Sequence, residues 1–101
     1  MLDLEQIREA VRERRYVIKA HAKQRMGQRK IRDADLRSVI FNGEIVEQTP
    51  EAKPFPKCLV MGFVRGETLY VSCAFDGSYV YIITTYWFDP ERWIDPWTRR
   101  R

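Results

Sequence analysis

The sequence predicts an α+β domain, with N-terminal helices packed on one face of a four-stranded, mainly antiparallel sheet. Apolar residues recur at three- and four-residue steps until about residue 42. Beyond Gly43 they fall into alternating runs rich in β-branched and aromatic side chains. The connectors between those later runs are short and carry glycine, as hairpins require. Helices first and a sheet afterwards define the class. The 101 residues suffice for one core, so a single domain is expected, with helices over about 3–42, the sheet over about 44–88 and a tail at 89–101.

Residues 3–15, "DLEQIREAVRERR", read as a helix. Leu4, Ile7, Ala10 and Val11 form one apolar stripe, Asp3 suits the N-cap, and Arg12, Arg14 and Arg15 suit the negative end of the dipole. "YVIK", 16–19, is short and β-branched and reads as a brief extended link. "AHAKQRMGQR" reads as a second helix that stops near Gly27 or just beyond it. In "RDADLRSVIFNG", Asp33 or Asp35 opens a third helix whose stripe is Leu36, Val39 and Ile40. Asn42-Gly43 closes it with a residue that tolerates a left-handed backbone.

"EIVEQTP" alternates and stops at Pro50, which suits an edge strand, and "EAKPFPK" reads as a loop. "CLVMGFV", "TLYVSCAF" and "YVYIITTYWF", joined by "RGE" and "DGS", should form an antiparallel meander. Simple alternation in the last run puts Val80, Ile82, Thr84 and Tyr86 on the helix side. Tyr79, Tyr81, Ile83, Thr85 and Trp87 then fall on the other side. Tyr86 would thus approach the second helix at the sheet margin. In "DPERWIDPWTRRR", Pro90 stands where a helix could start, and Trp87, Trp93 and Trp97 are expected to pin this segment to the sheet.

The formal charge is +4, and residues 1–37 alone carry +5, so a basic helical half adjoins a nearly neutral aromatic half. That distribution favours an anionic partner such as nucleic acid or an acidic protein segment. The amphipathic N-terminus, with acids early, resembles neither a signal nor a transit peptide, and no apolar run reaches the ~18 residues of a membrane span. Cys58 and Cys73 lack CxxC spacing and have one histidine to join them, so they read as reduced, buried thiols of a cytoplasmic protein. Neither a metal nor a cofactor is expected.

No phosphate-cradling glycine loop and no nucleophile elbow is present. The remaining chemistry lies in "IKAHAKQRMGQRKI", where His21 and Arg25 fall one helical turn apart on one face. Lys19, Lys23, Arg29 and Lys30 surround them as candidate RNA-backbone contacts. Imidazole titrates near neutrality and guanidinium matches phosphate oxygens, so the pair suits RNA cleavage by the 2′-hydroxyl. Tyr70 and Tyr86 are candidate stacking or proton-donating groups.

Four blocks in order resemble a known family: "HAKQRM", "DLRSVIFNGEIVEQTP", "PKCLVMGFVRGETLYV" and "YIITTY" followed by Pro90. These blocks, from about Tyr16 to Trp93, are similar to the bacterial domain-of-unknown-function family DUF4258, grouped with the RelE/ParE-like toxin superfamily. The resemblance implies the helix-plus-antiparallel-sheet fold of RNA endonuclease toxins and a cognate antitoxin as partner. One position departs from the family pattern, which often has histidine in "PLHVV" where this chain has Tyr70 in "TLYVS". Proton transfer would then fall to His21, alone or with tyrosine.

The leading expectation is therefore a toxin-like, metal-independent endoribonuclease. His21 would act as base or acid and Arg25 as the clamp on the phosphorane. The alternative is a non-catalytic module that binds protein or nucleic acid, with "WIDPWTRRR" as an interface peptide. A structural role is also open, with His21 capping or packing and Arg25 holding carbonyls at a strand end.

Overall fold

The structure, a computed structural model, describes residues 1–101. Helix α1 (Leu4–Arg12) is capped by Asp3, whose Oδ1 accepts the Glu5 N–H at 2.9 Å, and it buries Ile7, Ala10 and Val11. It ends three residues before the predicted 15. Arg14 adopts a left-handed backbone (φ 62°), and the N–H groups of Arg14 and Arg15 return to the carbonyls of Val11 and Ala10. This is a Schellman-type stop with arginine in the position that glycine usually holds.

The predicted link is instead strand β1 (Tyr16–Ile18). Helices α2 (Ala20–Arg29) and α3 (Asp33–Asn42) follow. Helix α2 runs past Gly27, and the left-handed Lys30 (φ 57°) stops it. Asp33 begins α3, and the Asp35 carboxylate reaches back to the Arg32 N–H at 2.9 Å. Gly43 closes α3 in an extended conformation (φ −93°), not a left-handed one. Space is what requires glycine there, because a Cβ would lie 2.2 Å from the Met61 carbonyl oxygen.

Strands β3 (Lys57–Val64), β4 (Glu67–Phe75) and β5 (Val80–Trp87) form the predicted antiparallel meander, and β2 (Glu44–Thr49) pairs antiparallel with β3 at one edge. The short β1 pairs in parallel with β5 from Tyr16↔Val80 to Ile18↔Ile82, so the sheet is mixed and has five strands, in the order β1-β5-β4-β3-β2. Three extended, β-branched or aromatic residues are too few to hold a strand alone; β1 pairs because the open edge of β5 accepts its backbone.

The helices cover one face, as predicted. Ile7, Ala22, Met26, Leu36, Val39 and Ile40 pack there against Val60, Val71, Cys73, Val80 and Ile82 in one cluster of 18 buried residues. Gly62 lets α3 approach, since a Cβ would meet the Val39 Cα at 3.2 Å. Cys58 and Cys73 face one another across β3 and β4 with their sulfurs 3.8 Å apart, both buried and unbridged.

On the other face, the tail forms no helix after Pro90. A turn leads instead into a hairpin of β6 (Trp93–Asp95) and β7 (Thr98–Arg99). Trp93 is fully buried there and stacks on Tyr70 at 4.3 Å, with Leu59 and Met61 completing the cluster. Trp97 lies edge-on to Phe63 and donates to Glu44 at 3.0 Å. These two tryptophans pin the tail as predicted, but Trp87 lies against the helix-side core.

That difference has a definite cause. Ser72 pairs with Thr84 but Cys73 pairs with Ile82, which leaves Ile83 as an extra, unpaired residue in β5. Such a bulge reverses the alternation beyond it. Val80 and Ile82 face the helices as predicted, whereas Thr84 and Tyr86 turn to the hairpin side. Thr85 and Trp87, opposite the helix-side Val71 and Leu69, turn toward the helices.

Candidate RNA-binding edge

Beyond Ile82 the outer edge of β5 no longer has β1 beside it, and α2 packs against β5 there. The apolar side of α2, Ala22 and Met26, enters the core. His21, Arg25 and Arg29 recur every four residues and form a slanted stripe on another side of the helix. The spacing brings the predicted pair together: the Arg25 Nε–H points at His21 Nε2 across 3.4 Å, a long and weak hydrogen bond. In this contact Nε2 takes the acceptor role, which a neutral imidazole with its proton on Nδ1 can fill. His21 is exposed and Arg25 is half-buried. No carboxylate pairs with either of them.

The first turn of α2 carries Lys19, His21 and Lys23 and no acid, and Lys19 offers no side-chain cap. Positive side chains therefore gather at the positive end of the dipole, an arrangement that weakens an isolated helix and attracts anions. Lys19 Nζ stands 5.9 Å over the Tyr81 ring, which is itself stacked on Phe55. Lys23 and Lys30 are exposed.

Arg29 ends the stripe and is bound more firmly. Its Nη1 donates to the Thr85 carbonyl at 2.7 Å, and its own carbonyl accepts the Trp87 indole N–H at 2.8 Å. Arg29, not Arg25, is therefore the residue that holds a strand carbonyl.

Tyr70 and Tyr86 do not join His21 and Arg25. The Ile83 bulge turns Tyr86 to the hairpin face, where its ring lies 5.3 Å from that of Tyr70. Tyr70 is sandwiched between Tyr86 and Trp93 and fully buried, and its hydroxyl donates to the Pro96 carbonyl at 2.8 Å. Burial, with Tyr86 and Asp95 adding to it, pushes the phenol up to about 12. Tyr70 is thus a packing residue. The Tyr86 hydroxyl meets Arg99 Nη2 at 3.5 Å, and Arg99 is held by Glu47 through bonds of 2.8 and 2.9 Å.

The sequence reading missed Arg92 and Arg99 as partners of Arg29. The three line one cavity of about 490 Å³ with Tyr86, Trp87 and Asp89. The available signal was the Asp95-Pro96 turn: a hairpin there folds Arg99 back over Trp93, with its guanidinium carbon 4.5 Å from the ring centre.

The family model for "Domain of unknown function (DUF4258)" matches residues 18–87. The chain belongs to this family. The DUF4258 region comprises α2, α3 and β2–β5, and so contains His21, Arg25, Arg29, Tyr70 and Tyr86. Helix α1 and the C-terminal hairpin, with Arg92 and Arg99, lie outside it. No curated protein and no solved structure matches the chain. No helix is long and apolar enough to cross a membrane.

Proposed function

We propose that this DUF4258 protein is a toxin-like endoribonuclease of the RelE/ParE kind, which holds single-stranded RNA along α2 and cleaves it by 2′-hydroxyl attack. The observation that carries the reading is the solvent-open contact of His21 and Arg25, free of any carboxylate and aligned with Arg29. An arriving phosphodiester is a better acceptor for Arg25 than imidazole is, because a charged oxygen strengthens the bond. Once Arg25 turns to the phosphate, the Nε2 lone pair of His21 is free to take the 2′-hydroxyl proton. The 2′-oxygen then bonds to phosphorus, and Arg25 neutralises the added charge on the phosphorane. The bond to the 5′-oxygen breaks, and that oxygen receives the proton from imidazolium. The products are a 2′,3′-cyclic phosphate and a 5′-hydroxyl. A cognate antitoxin and a cytoplasmic site of action belong to the same reading.

The burial of Tyr70 favours a second reading, a non-catalytic RNA-binding module. With the phenol bonded to Pro96 and its ionisation suppressed, His21 has no second proton carrier beside it.

Incubating the purified chain with a mixed-sequence RNA in chelator separates the two. Cleavage should leave cyclic phosphate ends and fall by about 10²–10⁴-fold in His21→Ala and about 10²–10³-fold in Arg25→Ala. Intact RNA bound with a steep salt dependence would select the module, and a chain that neither binds nor cuts RNA would remove both readings.

A further inference from the structure

The cavity of Arg29, Arg92 and Arg99 lies beyond the His21–Arg25 pair and has no part in the chemistry above. Its three guanidinium groups come from the end of α2, the turn after β5, and β7. Each keeps donors to spare. Arg29 uses Nη1 on Thr85 and leaves Nε and Nη2 without a protein partner. Arg99 gives Nε and Nη2 to Glu47 and leaves Nη1. The Arg92 side chain makes no hydrogen bond; its Nε lies 3.8 Å from Asp89, and it is 74% exposed. Asp89, the one acid in the lining, spends its other oxygen on the Glu91 N–H at 2.9 Å.

The walls are aromatic. Tyr86 and Trp87 point to opposite faces of β5, yet both line the cavity because it wraps the sheet margin. Arg29 and Trp87 fix one another through the two bonds already described, and Glu47 fixes Arg99. Donors held in place before a ligand arrives lose little freedom on binding it. Arg29 also lies one turn, about 6 Å, along α2 from Arg25, a separation suited to the next residue of a strand held at Arg25.

We propose that this cavity is a nucleotide subsite, in which Arg29, Arg92 and Arg99 take a phosphate and the Tyr86–Trp87 wall takes its base. The nucleotide is the neighbour of the one held by His21 and Arg25. This rests on the RNA-binding half of the proposed function and is indifferent to cleavage. Guanidinium groups alone would accept any anion, and the aromatic wall is what selects a nucleotide.

The test follows the three indole N–H resonances of the full chain, with that of Trp87 assigned by Trp87→Phe. The ligands are a nucleoside 5′-monophosphate and a 2′-O-methyl RNA octamer, which cannot be cleaved through its 2′-oxygen. Both should move the Trp87 signal. Arg92→Ala should bind each about tenfold more weakly and lower the salt slope for the octamer by about one. Arg101→Ala, which removes the same charge at the chain end, should stay within about twofold of the parent. Octamer binding with an unmoved Trp87 signal, or unchanged by Arg92→Ala, overturns the subsite and leaves RNA binding intact. A monophosphate that moves Trp87 while the octamer does not bind sustains a nucleotide site and refutes the RNA reading. A Trp87 signal that neither ligand moves refutes the subsite outright.

Discussion

On the helix side of the sheet, 18 buried residues join into one cluster of mostly hydrocarbon side chains. The hairpin side gathers a cluster of four, Leu59, Met61, Tyr70 and Trp93, and rings them with guanidinium, carboxylate and phenol groups. The first region is held by area removed from water, a force without direction. The second is held by two stacked aromatic contacts on Tyr70 and by named bonds: Tyr70 to Pro96, Trp97 to Glu44, and Arg99 to Glu47. A side built that way opens locally at little cost to the rest. The difference separates a side stabilised by burial from a side stabilised by directed polar contacts.

The largest expected effect falls on the helix side. Leu36 is 1% exposed at the centre of α3, and Leu36→Ala should lower global stability by about 2–5 kcal/mol in denaturant unfolding. A loss under about 1 kcal/mol would contradict the assignment of the core to this face.

A middle effect belongs to Asp35, buried at the start of α3. It accepts the Arg32 N–H and both terminal nitrogens of Arg65, at 2.9 and 3.3 Å. Burial works against its charge, but the Arg65 guanidinium and the Arg32 N–H outweigh burial and hold the carboxyl below its usual range. Asp35→Ala should cost about 1–3 kcal/mol. A depressed folded value means that the contribution is whole above the unfolded value of about 3.9 and is lost as pH falls through the folded one. The stability gap between the parent and Asp35→Asn should therefore narrow below about pH 4; a gap that widens in acid would reverse the sign.

The smallest effect is on the hairpin side. Tyr70→Phe removes one hydrogen bond and should cost about 0.5–1.5 kcal/mol. Hydrogen exchange should show that cost confined to β6 and β7. For the parent, the raised phenol value means that the Tyr70 bond stabilises fully below about pH 10 and is lost as pH climbs toward about 12. Absorbance of phenolate should show a late-titrating component that Tyr70→Phe removes. Acceleration of exchange throughout β3 and β4 by Tyr70→Phe would show that the two faces act as one unit.

The helical half was legible because helix periodicity is local: Ile7, Ala10, Val11, Leu36, Val39 and Ile40 are all in the core on spacing alone. The adjacency of His21 and Arg25 follows from the same rule. The strand at Tyr16–Ile18 was not legible, because its three residues acquire a role only against the edge of β5. Alternation misplaced Tyr86 because it assumes an unbroken ladder, and nothing in "YVYIITTYW" marks Ile83 as the residue without a partner. The arginine cavity was hidden for a third reason. Arg29 and Arg99 meet only after the sheet is assembled and the tail doubles back across it.

The single surplus residue in β5 makes register itself a carrier of information. Taking Ile83 into a regular ladder, with composition untouched, would interchange the destinations of Tyr86 and Trp87. The indole would lose its anchor on the Arg29 carbonyl, and the phenol would leave the place where it meets Arg99. A count of one thus keeps the two sides of this molecule from trading their contents.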